Sequence, residues 1–174
     1  MTTQSTGQAI RSMEEPNYES LKRSLGLFAS GVNIITSFDE EGPVGFTCQS
    51  FYSVSLDPPL ISISVMRTST SYPRIRYSGG FAVNVLCESQ RELSNKFAKS
   101  GGDKWAGVNW EPSPTGKPLL TGSLMSLDCI LYEEHAVGDH YVVYGQIQGV
   151  RSNASTGETP LVYFGGAYRS LSGN

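Results

Sequence analysis

Histidine is nearly absent from this chain: His135 and His140 are the only two among 174 residues. A metal site built from several imidazoles is therefore excluded, and a serine or cysteine nucleophile has few candidate bases. Cysteine is sparse too. Cys48, Cys87 and Cys129 are odd in number and widely spaced, with no CxxC pair. A disulfide framework or a zinc site requires pairs, so the three read as buried free thiols of a reducing compartment. No GxGxxG follows a strand, and GxxxxGK, HExxH and GxSxG are all missing. Any dinucleotide is thus expected to bind in some manner other than the Rossmann one.

Charge of one sign is also lacking, with 13 basic against 16 acidic residues and a net charge of −3. That excludes the strongly basic surface by which nucleic-acid binders neutralise phosphates, so no nucleic-acid partner is expected. No apolar run approaches the roughly 18 residues needed to span a bilayer. The N-terminal stretch MTTQSTGQAIRSMEEPN lacks the basic-then-apolar order of a signal peptide. The expectation is a soluble, cytoplasmic protein with no membrane partner, in which the sequon Asn153-Ala154-Ser155 is a chance match. Hydrophobic residues make up 39% and charged residues 17%, enough apolar material for one packed core. Residues 1–15 read as a flexible tail and 16–172 as one domain.

What the chain does contain is strand-like sequence. One helix is predicted after Pro16-Asn17, where Leu21, Leu25 and Phe28 recur at helical spacing before Gly31. The period then shortens: residues 32–38, 44–51, 60–66 and 81–86 are short, β-branched or aromatic, and bounded by Gly, Pro or Asp. Asp39 to Pro43 reads as a hairpin turn, and Asp57-Pro58-Pro59 as a rigid entry into the next strand. A short helical turn is expected within 69–78. A firmer helix is expected at 89–100, with a capping box from Ser89 and Glu92 and a stop at Gly101-Gly102. Residues 103–120 read as a loop packed by Trp105 and Trp110. Long strands at 123–135 and 140–151 follow, the first with Ser126 and Asp128 on a polar face, and a last strand covers 161–166. Strands without βαβ alternation predict a mainly β protein, an antiparallel barrel.

Three features bear on function. Thr47, Gln49, Ser50, Ser53 and Ser55 place hydroxyls and an amide in a stretch otherwise suited to the core. They form either a water-facing strand face or an edge that meets a flat polar ring. Between Arg67 and Lys104, seven basic residues face only Glu88, Glu92 and Asp103. Ser62, Ser64, Thr68, Ser69, Thr70 and Ser71 accompany this local excess. Hydroxyls, helix-start amides near Ser69 and a few cations suit a phosphate, although Arg76 and Arg91 read better as solvated helix faces. Finally, Gly138-Asp139-His140 puts a histidine at the start of a strand, as a surface turn residue or as a stacking contact at a barrel rim. His135 reads as structural.

In combination these segments resemble the short-chain flavin reductases of two-component flavin-dependent monooxygenases. The resemblance covers about residues 18–171. It rests on LKRSLGLFASGVNIITS, VGFTCQSFYSVSLDPPLISI, SGGFAVNVL, FAKSGGDKWAGVNW, GKPLLTGSL, GDHYVVYGQI and PLVYFGGAYRSL in that order. It implies an FMN-binding split barrel of Greek-key type, a homodimer, and reduction of FMN or FAD by NADH or NADPH for a partner monooxygenase. By motif, Thr47, Cys48, Gln49 and Ser50 would contact the isoalloxazine edge, and Ser62, Ile63 and Ser64 would run beneath the ring or ribityl chain. Ser69, Ser71, Phe97, Ala98 and Lys99 would lie near the phosphate or adenylate. His140, in the turn with Gly138 and Asp139, would meet the nicotinamide, and Tyr168 would close over it. Gln49 departs from the pattern, since many relatives carry Asn there. A flavin carrier without catalysis is the alternative, and the Gly-Asp-His turn argues against it.

Overall fold

The computed structural model describes residues 13–153 and 157–171. Most of the expected tail, and the Ala154-Ser155 half of the sequon, lie outside them.

Helix α1 (Tyr18–Leu25) opens on Asn17, whose side chain accepts from Ser20 N while Ser20 Oγ accepts from Asn17 N. It stops at Leu25, short of Phe28, and buries none of its residues. Twelve strands follow: β1 (Ser30–Gly31), β2 (Asn33–Asp39), β3 (Gly42–Cys48), β4 (Tyr52–Leu56), β5 (Pro59–Met66), β6 (Gly80–Val85), β7 (Trp110–Pro112), β8 (Pro118–Leu120), β9 (Met125–Val137), β10 (His140–Ser152), β11 (Val162–Phe164) and β12 (Ala167–Arg169). Helices α2 (Tyr72–Tyr77) and α3 (Arg91–Ala98) flank β6 in the chain.

Seven strands form one antiparallel sheet in the order β3-β2-β6-β9-β10-β5-β4. The sheet curls around Ile35, Ile61, Ile63, Phe81, Val83, Cys129 and Val143, all buried. Its edges β3 and β4 do not pair with each other, so the barrel is split rather than closed. At Gly145 two walls come close: a Cβ there would lie 2.6 Å from the Phe81 ring, a distance no packed core tolerates.

β2 and β6 are buried on both faces. Their far side carries a second cluster of Val32, Ile34, Leu86, Phe97, Leu120 and Leu161, with Trp105, Trp110, Tyr163 and Tyr168 packed on it. This overturns the half-buried reading of β9 over residues 126–129, while Ile130 and Tyr132 beyond them are exposed. Ser126 and Asp128 are 3% exposed because the second layer covers them. Their polar atoms are satisfied internally, as burial requires. Ser126 Oγ donates to Asn84 Oδ1 at 3.0 Å, and Asp128 accepts from Thr115 N and Oγ1 at 3.1 and 2.6 Å.

Other boundaries shift for local reasons. The polar stretch 45–55 is two strands with a bend at 49–51. The expected loop 103–120 contains the β7–β8 hairpin, closed by its tryptophans, with Phe97–Trp105 ring centroids 5.0 Å apart. The expected Ser89–Glu92 box does not form: residues 88–90 make a 3₁₀ turn capped at Cys87, where Gln90 Oε1 accepts from Cys87 N at 3.2 Å, and α3 starts after Gln90 with no side-chain cap. Residues 161–166 end at Phe164, and Gly165-Gly166 turn the chain into β12. All three cysteines are buried free thiols, as expected. Among the described residues no helix is long and apolar enough to cross a membrane.

Candidate functional site

Beside the split lies a cleft of about 690 Å³. Its walls come from the β3–β4 bend, the end of β5, the loop before α2, the last turn of α3, the start of β10, and β11–β12. A volume of this order suits a small organic ligand, for which roughly 300–1,000 Å³ is usual.

The bend is held by hydroxyls that bond to the backbone. Ser50 Oγ donates to Ser64 O at 2.9 Å and accepts from Ser64 N at 2.8 Å, fastening the bend to β5 across the split. Thr47 Oγ1 donates to Ser94 O on α3 at 2.7 Å. Both hydroxyl protons are therefore committed. Thr47 can still accept through its lone pairs, whereas Ser50 Oγ also meets Cys48 Sγ at 3.3 Å, which fills its bonding capacity. Gln49 Oε1 takes a long bond from Ser30 Oγ at 3.5 Å, and its amide nitrogen is a donor. Cys48 is 5% exposed, and burial pushes its thiol pKa up. A neutral thiol is no nucleophile, so Cys48 shapes the wall.

The loop from Thr68 to Ser71 supplies four successive hydroxyl residues to the floor. Ser69 Oγ accepts from Tyr72 N at 3.3 Å, and Ser71 Oγ donates to Gly45 O at 3.4 Å. The expected cation cluster divides here. Arg74 is bound to Asp39 through both Nε and Nη2, and Arg76 to Glu134 at 2.6 Å. Arg76 is exposed, as expected, and its guanidinium also lies 4.7 Å from the Tyr141 ring centroid. Arg91 lies 5.3 Å from the ring centroid of Tyr168. Among the described residues, Lys99 and Lys104 are the cations that line the cleft. Lys104 Nζ donates to Phe97 O at 3.2 Å, and burial lowers its pKa. An ammonium with one of three protons bonded and no carboxylate partner among the described residues is suited to a phosphate.

Two ring side chains complete the walls. His140 begins β10 after the two-residue turn Gly138-Asp139, where Gly138 takes the positive φ (58°) such hairpins demand. Its Nδ1 meets Asp139 Oδ1 at 2.7 Å, and the imidazole holds the Asp139 carboxyl below its ordinary range. Nε2 is left as the free nitrogen. Tyr168, on β12, bonds Ser94 Oγ through its hydroxyl at 2.8 Å and stacks edge-on against Tyr163 at 5.3 Å.

The cleft thus gathers Thr47, Cys48, Gln49, Ser50, Ser64, Ser69, Ser71, Phe97, Ala98, Lys99, His140 and Tyr168 from six separate segments. It does not include Ser62, Ile63, Gly138 or Asp139. Ile63 is fully buried in the core, and Ser62 stands between Tyr52 and Tyr144 on neighbouring strands. Sequence reasoning missed Phe46, Met66, Asn95, Ser100 and Tyr163, and counted Lys104 without assigning it to the site. Asn95 was within reach: it precedes Ala98 and Lys99 by three and four residues on α3 and so shares their face.

A split β-barrel with a polar cleft walled by acceptor groups, hydroxyls, lysines and aromatic rings has the shape and chemistry suited to a flat, phosphorylated heterocycle. Residues 25–172 match the flavin reductase like domain, and the chain belongs to that family. It is 40% identical over 166 residues to HsaB, the reductase subunit of a flavin-dependent monooxygenase from Rhodococcus jostii, covering 95% of this chain and 84% of the relative. Nitrilotriacetate monooxygenase component B from Mycobacterium thermoresistibile superposes with a TM-score of 0.86 at 41% identity, over 88% of this chain and 86% of that one. The NADH:FAD oxidoreductase SgcE6 of Streptomyces globisporus, crystallised with NAD and FAD fragments, superposes with a TM-score of 0.85 at 29% identity, over 93% of this chain and 98% of that one.

Proposed function

We propose that this protein is a flavin reductase that uses NADH or NADPH to reduce FMN or FAD and releases the reduced flavin to a partner monooxygenase. One observation carries the reading: a single cleft brings an acceptor edge (47–50), an anion floor (68–71 with Lys99 and Lys104) and two ring side chains (His140, Tyr168) into reach of one another. These are the three parts a flavin and a nicotinamide need together.

Flavin bound there would supply the electron-accepting ring, and hydride transfer from a dihydronicotinamide is chemistry the two partners carry themselves. The chain's residues orient and enclose. Thr47, its proton turned inward, accepts from a ring N–H, while the Gln49 amide donates toward ring carbonyl oxygens; Ser50 holds the bend that carries them. Lys104 and the Thr68–Ser71 hydroxyls anchor phosphate. His140, braced by Asp139, positions the nicotinamide end. Holding two reactants in register contributes through effective molarity and needs no nucleophile or general base.

The outer face of the sheet beside the cleft supports a homodimer. Tyr52, Ser62 and Tyr144 lie in one cross-strand row, Ile130 is exposed on β9, and Leu56 at the edge is 90% exposed. An apolar surface of this kind on a split barrel is suited to a second copy.

Absorbance at 340 nm, followed with NADH or NADPH and with or without FMN, FAD or riboflavin, tests the activity. Flavin-dependent nucleotide oxidation is expected. A flavin-coloured protein that oxidises neither nucleotide would make it a carrier instead.

A further inference from the structure

Ser94 lies outside the cleft, fully buried on α3, yet two of the cleft's walls are fastened to it. Its carbonyl accepts from Thr47 Oγ1 on β3 at 2.7 Å, and its hydroxyl meets the Tyr168 hydroxyl at 2.8 Å. Beneath Tyr168 the support is thin. Strand β12 has three residues and pairs only with β11, which in turn pairs with the two-residue β1. Beyond that small sheet, β12 and its flank are tied to the body through Tyr168 itself, a bond from Ser170 to Glu88 and one from Gly165 N to Gly26 O. The Arg91 guanidinium, 5.3 Å from the Tyr168 ring centroid, and the edge-on Tyr163 restrict the ring's tilt without setting its reach along the cleft. The Ser94 hydroxyl sets that reach.

We propose that Ser94 is a positioning residue for the nicotinamide donor: it holds Tyr168 by its hydroxyl so that the phenol presents a fixed ring face to the cleft. This rests on the flavin reductase reading above. Tied to Ser94 through its hydroxyl, Tyr168 offers the cleft its ring, which suits a planar heterocycle. The two ties at Ser94 are chemically separable. Replacing its side chain leaves the main-chain carbonyl, and hence Thr47 and the ring edge, in place.

The test is a double-mutant cycle with Ser94→Ala and Tyr168→Phe. Oxidised nicotinamide dinucleotide is titrated by calorimetry into the flavin-loaded protein, FMN affinity is measured by fluorescence quenching, and KM for the reduced nucleotide is taken alongside. Each single variant is expected to weaken nucleotide binding roughly fivefold, the worth of one net hydrogen bond. The double variant should be no weaker than either single, and Ser94→Ala should leave FMN affinity within about twofold. Nucleotide affinity unchanged in both single variants, or losses that multiply in the double, overturns the proposal. Should Ser94→Ala fail to fold, Tyr168→Phe at the half-buried end of the pair decides alone. A wild-type protein that binds flavin but oxidises no nucleotide defeats the reductase reading itself, whereas an active wild type with unaltered variants defeats only the role of Ser94.

Discussion

Ser50 and Ser64 are bonded in both directions, the one hydroxyl donating to the other residue's carbonyl at 2.9 Å and accepting from its amide at 2.8 Å. A single side chain thereby does the work of a strand pair where β3 and β4 have parted. Both backbone groups of Ser64 depend on it.

Ser50→Ala should therefore destabilise the fold by about 1–3 kcal/mol, the cost of leaving part-buried backbone groups without partners. It should also loosen the bend that carries Gln49. Urea denaturation and flavin titration check the two effects; an unchanged midpoint would show that water replaces the hydroxyl at no cost.

His140→Ala is expected to raise the nicotinamide KM and slow hydride transfer while flavin still binds. The imidazole, held by Asp139 at 2.7 Å, sits at the cleft's rim and not beside the bend. Stopped-flow bleaching of flavin absorbance separates the two parameters, and both remaining at wild-type values would remove His140 from the site.

Lys104→Met should weaken FMN by roughly tenfold or more and riboflavin far less, because a charge-assisted bond to phosphate is lost. Burial lowers the lysine's pKa, so rising pH should neutralise it earlier than an ordinary lysine. FMN affinity should fall over that alkaline range while riboflavin affinity stays level. Equal losses for the two flavins would assign the phosphate elsewhere.

The thiols make a pH prediction. Burial and the neighbouring Asp128 push Cys129 up to about 12 from 9.0, and burial also raises Cys48. The folded state holds these protons more tightly than the unfolded chain. Their contribution is thus complete below pH 9.0 and lost as pH climbs toward 12. Thermal midpoints should decline across that window. An aromatic disulfide reagent at pH 8 should label none of the three cysteines until denaturant is added; rapid native labelling would contradict their burial.

Leu56→Lys, at an edge 90% exposed, should shift the protein toward monomer in sedimentation if the outer sheet face joins two copies. Sedimentation as a monomer before the substitution would place the apolar face in some other role.

The sequence by itself determined the longer strands, because alternation such as Ile61-Ser62-Ile63-Ser64-Val65 leaves a chain one face to bury; the short β7 and β8 carry no such signal. It placed a turn ending at Gly138-Asp139 ahead of His140, which the structure narrows to those two residues, and motif order was enough to mark Thr47–Ser50, Ser69, Ser71, Lys99, His140 and Tyr168. What only the tertiary structure decided is who faces whom. Ser126 and Asp128 looked like a wet face, yet Asn84 and the β7–β8 hairpin with Thr115 cover them, and nothing in a period of two announces a second layer. Of seven cations near the expected anion site, Arg74 and Arg76 are held by Asp39 and Glu134, partners 35 and 58 residues away. The Thr47 and Ser50 hydroxyls are likewise turned inward by Ser94 and Ser64. Local pattern sets which groups a strand carries; hydrogen-bond capacity is finite, and only the assembled neighbours settle whether a group remains free for a ligand.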